Sequence, residues 1–71
     1  MATKVGDYIV KQCYDIETDS TFFDVYVSSE HELYGEYVGE ISMEDAQANN
    51  LIDDDGNINV DEMEEYIFTE F

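Results

Sequence analysis

Negative charge is the feature that most restricts how this 71-residue chain can fold. The chain carries 19 Asp and Glu residues against two Lys and no Arg, so its formal net charge is −17. A compact chain of this charge repels itself, and only a sufficient apolar core can offset that repulsion. Hydrophobic residues make up 44% of the chain and aromatic residues 14%. This content favours a folded domain over a disordered acidic segment.

The same composition excludes several classes of function. A chain of this charge should repel nucleic acid and anionic membranes, so neither is expected as a direct partner. No apolar run reaches the roughly 18 residues of a membrane span, and no signal peptide is visible. We therefore expect one small domain, residues 1–71, in the cytoplasm of the host cell. With no Arg and no spacing that pairs Cys13 with His31, we expect neither enzyme activity nor a cofactor.

The first half of the chain shows the alternation of β-strands, which we predict at 7–16, 21–28 and 32–41 after a short lead-in at 1–6. Gly35 and Gly39 indicate a bulge or strong bend in the third strand. Cys13 is expected to be a small buried hydrophobe. In the strand 21–28, the predicted core face consists of Phe23, Val25 and Val27. The opposite face of that strand consists of Phe22, Asp24 and Tyr26.

The second half of the chain predicts two helices. Ser42 followed by acids is typical of the N-cap of a short helix, 43–50. Asn59 with Glu62 three residues later resembles a capping box for a helix near 60–68. Leu51 and Ile52 are expected to fill the core between the helices. The apolar residues of the second helix recur at helical spacing: Val60, Met63, Tyr66, Ile67 and Phe71. The predicted fold class is α+β, a three-stranded antiparallel β-meander followed by a short helix and a longer C-terminal helix.

Residues 51–62 allow two interpretations. If Gly56 is placed at position 6 of an EF-hand calcium loop, then Asp53, Asp55 and Glu62 fall at ligand positions 3, 5 and 12. Leu51 then occupies the first ligand position without a side-chain oxygen, so we expect no specific metal site. The other interpretation is a turn at Asp55-Gly56, where glycine tolerates a positive φ. A degenerate EF-hand-like calcium-binding module stays open as an alternative.

The acids require a further explanation, because solubility alone needs a net charge of magnitude about 2–8. Residues two apart on a strand lie about 6.6 Å apart, and residues four apart on a helix about 6 Å apart. Neighbouring phosphates of a DNA strand are spaced on the same scale. Exposed Tyr among acids suits a basic cleft that binds both charge and ring. The predicted partner-binding residues are Asp24, Glu32, Glu36, Asp53, Asp54, Asp55, Asp61, Glu62, Glu65, Tyr26 and Tyr34.

In size, charge and lack of catalytic groups, the chain resembles the DNA-mimic proteins of phages and mobile elements. These include anti-restriction proteins, uracil-DNA glycosylase inhibitors and several anti-CRISPR proteins. The resemblance covers the whole chain in composition and rests on no motif. It implies that the protein occupies the basic nucleic-acid-binding cleft of a host defence protein and blocks DNA binding. A CRISPR effector is the favoured target class, ahead of restriction enzymes and DNA glycosylases. A small acidic interaction module from a halophile is a further alternative.

Overall fold

A computed structural model describes residues 2–31 and 34–71 and shows a β-sheet with two helices packed on one face. All neighbouring strands are antiparallel, and their order in the sheet is the order in the chain. The predicted α+β class is therefore confirmed, but the sheet has four strands rather than three. The elements are β1 (Ala2–Val5), β2 (Tyr8–Asp15), β3 (Ser20–Val27), β4 (Tyr37–Ser42), α1 (Met43–Ala48) and α2 (Val60–Glu70).

The prediction of three strands is wrong because the expected lead-in forms β1. Val5 pairs with Tyr8 across the two-residue turn Gly6-Asp7, and the fully buried Val5 anchors the strand in the core. A Gly-Asp pair between two short stretches of strand-forming residues is a sequence signal for a β-hairpin, and here it indicates this turn. Four residues are too few for alternation to identify β1 from the sequence alone.

The central hairpin of β2 and β3 forms as predicted, to within one residue at each end. The two strands pair along their full length, from Tyr8 opposite Val27 to Asp15 opposite Ser20. Phe23 and Val25 are fully buried, as expected, but Val27 is 39% exposed. Val27 differs because it lies at the end of β3, where the chain leaves the sheet beside the Gly6-Asp7 turn.

The predicted strand 32–41 begins later than expected, at Tyr37, and contains the bulge that the glycines indicated. Val25 pairs with Gly39, whereas Tyr26 pairs with Tyr37, so Val38 is the extra residue. An uninterrupted alternation would place Tyr37 on the face of Ile41. The bulge instead turns Tyr37 to the face of Tyr26, while Val38 packs against the core.

Helix α1 begins and ends close to the predicted positions. The Ser42 hydroxyl accepts a hydrogen bond from the backbone N–H of Asp45 at 3.1 Å, which confirms the N-cap. The helix ends before Asn49, and the next residue, Asn50, has a left-handed φ of 58°. Leu51 then enters the core, where it is fully buried, as predicted.

Helix α2 begins after Asn59, as predicted, but the capping box does not form. The Asn59 side chain makes no capping hydrogen bond, and its amide instead donates to the carbonyl of Asn50 at 3.2 Å. Of the apolar residues that recur at helical spacing, Met63 and Ile67 are buried, whereas Val60 is 42% exposed. The helix extends two residues beyond the predicted end, to Glu70.

One apolar cluster joins the sheet to the helices. Among the described residues, no polar or charged side chain is buried, so the carboxylates lie outside this core. None of the helices in the described part of the chain is long and apolar enough to cross a membrane. The buried residues are Val5, Val10, Phe23, Val25, Ile41, Ala46, Leu51, Met63 and Ile67.

Candidate functional site

The helical part of the chain carries many exposed acids and no base. Residues 43–71 contain ten Asp and Glu residues and no Lys, Arg or His. All ten side chains are exposed: seven lie on the helices, which bury only their apolar sides, and Asp53, Asp54 and Asp55 lie in the turn between them. We name this set the acidic layer: Glu44, Asp45, Asp53, Asp54, Asp55, Asp61, Glu62, Glu64, Glu65 and Glu70.

The acids of α2 work partly against the stability of the helix. Asp61 and Glu62 lie in its first turn, where the helix dipole favours negative charge. Asp61 and Glu65 are four residues apart, however, and like charges at this spacing repel. No basic residue lies in the last turn to offset them. The sequence therefore keeps an unfavourable charge pattern on a surface that packing does not require to be acidic.

A shallow groove between α2 and the segment that follows α1 brings several of these acids around one aromatic ring. The pKa of the Tyr66 hydroxyl is raised above its ordinary value by burial, and then by the negative charges of Asp45 and Glu70. Two of the predicted partner-binding residues, Glu62 and Glu65, line the groove, whereas Asp61 does not. The groove has a volume of about 170 Å³ and is lined by Asn49, Leu51, Glu62, Glu65, Tyr66, Thr69 and Glu70.

The acidic turn between the helices is shaped by one of its own carboxylates. Asp53 Oδ1 accepts hydrogen bonds from the backbone N–H groups of Asp55 at 3.0 Å and Asn57 at 2.9 Å. Gly56 has a φ of 83°, as the turn interpretation predicts. Within residues 2–31 and 34–71, no three carboxylate, His or Cys side chains come together as a metal site. Asp53 therefore holds the turn, although it is exposed to solvent like Asp54 and Asp55.

A second group of predicted residues lies on the sheet face opposite the helices, which we name the outer face. Tyr26 lies near the end of β3, with the Tyr34 ring centroid 4.9 Å away and that of Tyr37 5.5 Å away. Loss of hydration and then the charges of Asp24 and Glu40 raise the pKa of Tyr37. Asp24 and Tyr26 lie on this face as their shared alternation suggested, and Tyr34, from the segment before β4, packs against Tyr26.

Both lysines of the chain lie on the outer face. Lys4 pairs with Ile9, and Lys11 pairs with Asp24, so both point away from the helices. Lys11 Nζ lies 5.6 Å from the centroid of the Tyr34 ring, a distance typical of a cation–π contact. Alternation in the predicted strand 7–16 indicates the face of Lys11, but sequence reasoning missed the face of Lys4, which depends on the register of β1. The outer face is consequently mixed in charge, whereas the acidic layer is not.

The remaining predicted residues do not join either group. Glu36 is exposed in the segment before β4, where its backbone carbonyl accepts a hydrogen bond from the N–H of Val27 at 2.8 Å. Glu32 lies outside the described residues. Sequence reasoning also left out Tyr37, which the bulge places on the outer face, and four members of the acidic layer. A simple signal for those four was the absence of any base after His31.

Cys13 is not the buried hydrophobe that the sequence predicted. It lies half-buried on the outer face, and its thiol donates to Asp24 Oδ2 at 3.5 Å. Burial raises the pKa of this thiol, and the hydrogen bond and negative charge of Asp24 raise it further. A raised pKa reduces the thiolate fraction at neutral pH, which disfavours nucleophilic chemistry.

Comparisons with known proteins give no relative from which a function could be transferred. No family model, no curated protein and no solved structure matches the chain.

Proposed function

We propose that the protein is a DNA-mimic inhibitor that occupies the basic nucleic-acid-binding cleft of a host defence protein. A CRISPR effector is the favoured target class, and restriction enzymes and DNA glycosylases are the other two. The observation that carries the proposal is the acidic layer, with ten exposed carboxylates and no base in residues 43–71. The protein acts as a competitor for the cleft and performs no chemistry of its own.

The helices suit this role because they hold carboxylates at fixed spacings. Residues one turn apart on α2 are about 5–6 Å apart, close to the separation of phosphates along a DNA strand. Arg and Lys side chains that bind phosphates make charge-assisted hydrogen bonds to carboxylates in the same way. A net charge of −17 also accelerates the encounter with a positive cleft at low salt.

The acidic layer supports the proposal better than the outer face does. Lys4 and Lys11 lie on the outer face, so a basic cleft would meet like charges there. Around the groove, Glu62 and Glu65 flank Tyr66, whose ring can pack against an Arg side chain of the target. We therefore place the main contact on the groove and on the neighbouring turn that carries Asp54 and Asp55.

Competition for labelled DNA tests the proposal. A fluorescent DNA duplex is bound to a guide-loaded CRISPR effector, a restriction enzyme and a uracil-DNA glycosylase, each in turn, and the protein is then titrated in. We expect stoichiometric release of DNA from at least one of them, weakening as salt rises. If all three keep their DNA, or if a saturated target still binds DNA, the proposal is wrong.

Paired charge reversals locate the contact. Glu62→Lys with Glu65→Lys changes the groove, and Asp54→Lys with Asp55→Lys changes the turn without removing the Asp53 hydrogen bonds. Asp24→Lys with Glu36→Lys is the matched control, since each pair changes the net charge equally. We expect the groove or turn pair to weaken inhibition by at least about tenfold, equivalent to roughly 1.4 kcal/mol. Equal effects of all three pairs would show only a dependence on net charge.

A further inference from the structure

The outer face is the largest part of the sheet that the described helices leave uncovered. The helix residues of the core pack against the opposite face, on which Val10 and Val25 lie. The outer face nevertheless carries apolar and aromatic side chains that are only half-buried, and Tyr37 is 54% exposed. A face of this kind on a soluble domain indicates a packing surface. Its apolar and aromatic residues are Ile9, Phe22, Tyr26, Tyr34 and Tyr37.

Charge divides the outer face into two halves along the strand order. Lys4 lies on β1 and Lys11 on β2, whereas Asp24 lies on β3 and Glu40 on β4. Asp15, at the end of β2, is the exception among the described charged residues of this face. The positive half and the negative half therefore lie side by side. When two copies meet face to face, the positive half of each can lie against the negative half of the other.

We propose that two copies of this chain pack outer face against outer face, about a two-fold axis parallel to the strands. Rotation by 180° about such an axis reverses the strand order and keeps the position along the strands. It therefore places β2 of one copy opposite β3 of the other. Lys11 and Asp24 are register partners at the same height, so Lys11 faces the partner subunit's Asp24. A symmetric dimer requires this kind of self-complementarity.

The tyrosines supply the apolar part of the same interface. Tyr26 contacts both Tyr34 and Tyr37 near one end of β3, and aromatic rings that become buried in an interface contribute strongly to binding. β2 and β3 have eight residues each, but β1 has four and β4 six, so at about 3.3 Å per residue and about 4.8 Å per strand each copy offers roughly 400 Å². The total of roughly 800 Å² lies below the ~1,000 Å² of a stable specific interface and in the range of weak contacts. We therefore expect a weak dimer.

Net charge opposes this dimer and gives it a distinctive salt dependence. Two chains of −17 repel each other over distances that salt screens, whereas the apolar contact is unaffected by modest salt. Dimerisation should therefore strengthen as salt rises, in contrast to the binding of a basic target. The acidic layers lie on the far sides of the two copies and remain free. Dimerisation requires no target protein, so it stands or falls separately from DNA mimicry.

Sedimentation of the purified chain tests the dimer. We expect a monomer–dimer equilibrium with a dissociation constant of roughly 100 µM, tighter at about 0.5 M NaCl than at about 0.05 M. Asp24→Lys should weaken dimerisation at least about tenfold by placing like charges against each other. Glu65→Lys is the matched control, because it adds the same charge within the acidic layer and should leave the dimer unchanged or tighter.

Two further variants separate the interface from effects on folding. Lys11→Asp combined with Asp24→Lys keeps the net charge and restores complementarity, so it should return the dissociation constant to within about threefold of the unmodified chain. Tyr37→Ser removes an exposed ring without changing charge and should also weaken the dimer. A chain that stays monomeric at about 1 mM and high salt overturns the proposal. Equal changes in the dissociation constant of the dimer for Asp24→Lys and Glu65→Lys would also overturn it.

Discussion

The ring of Phe71 limits the size of the side chain that position 39 of β4 can hold. A Cβ atom added at Gly39 would lie 2.4 Å from Cε1 of the Phe71 ring, so Gly39→Ala must displace that ring. Phe71 is 52% exposed, so the ring can move. We expect a loss of about 1 kcal/mol in the free energy of unfolding. Urea denaturation measures this loss.

The Phe71→Ala background is the control for that substitution. Without the ring, Gly39→Ala should cost nothing or stabilise the protein, since alanine restricts the unfolded chain more than glycine does. The difference between the two backgrounds is the coupling energy of the pair. An equal loss in both backgrounds would show that contacts other than the ring limit the size of residue 39.

Cys13 allows the electrostatics of the outer face to be tested at a single residue. Asp24 raises the pKa of the Cys13 thiol through a hydrogen bond and its negative charge, in addition to the effect of burial. Asp24→Asn removes the charge, so the pKa should fall towards its ordinary value and the thiolate fraction near pH 8 should rise. Iodoacetamide alkylation followed from pH 7 to 10 should then reach its half-maximal rate at lower pH than in the unmodified chain. Glu40→Gln, a matched loss of charge on the same face, should shift the profile less.

At the scale of elements, the sequence predicts those parts whose pattern is long enough. Alternation over eight residues locates β3, and the spacing of Met63 and Ile67 locates α2. β1 was missed because four residues carry too little pattern, although the Gly6-Asp7 turn signals its hairpin. The glycines indicated a bulge in β4, but its position, and hence the face of Tyr37, depends on pairing with β3.

Helix α2 offers a test in which stability and binding should change in opposite directions. Glu65→Lys removes the repulsion between Asp61 and Glu65 and creates an acid–base pair at the favourable four-residue spacing. We expect the free energy of unfolding to increase by about 0.5–1 kcal/mol. The same substitution should weaken inhibition of DNA binding, because Glu65 lines the groove beside α2. Urea denaturation and DNA competition on the same sample give both results.

Glu64→Lys controls for charge in that experiment. It changes the net charge by the same amount as Glu65→Lys. The residues four positions from Glu64 are Val60 and Phe68, so the substitution removes no repulsion between acids at the four-residue spacing. The Glu64 carboxylate also lies against Gly6, away from the groove. Inhibition should therefore be affected less than by Glu65→Lys. A gain in stability together with full inhibition for Glu65→Lys would remove the groove from the proposed contact.

At the scale of the whole molecule, the candidate site was only partly predictable. The ten acids after residue 42 are visible in the sequence, and both helices pack on the same face of the sheet, which makes the acids one layer. The face of Lys11 follows from the alternation in β2, but the face of Lys4 was not visible, because it depends on the register of the β1–β2 hairpin. Sequence patterns within one element predicted that element well. The distribution of charge between the two faces of the sheet could be assigned only once the pairing of the strands was known.

The stability of the whole domain should depend on salt without requiring it. A core of nine buried residues contains no buried charge in the described part of the chain, so screening relieves surface repulsion and leaves the core packing unchanged. We expect the protein to be folded at about 0.02 M NaCl and its melting temperature to rise by roughly 5–10 °C at about 0.5 M. Circular dichroism during heating measures both. A halophilic protein would instead unfold at the lower salt concentration, and that result would favour adaptation to salt over DNA mimicry as the reason for the charge of −17.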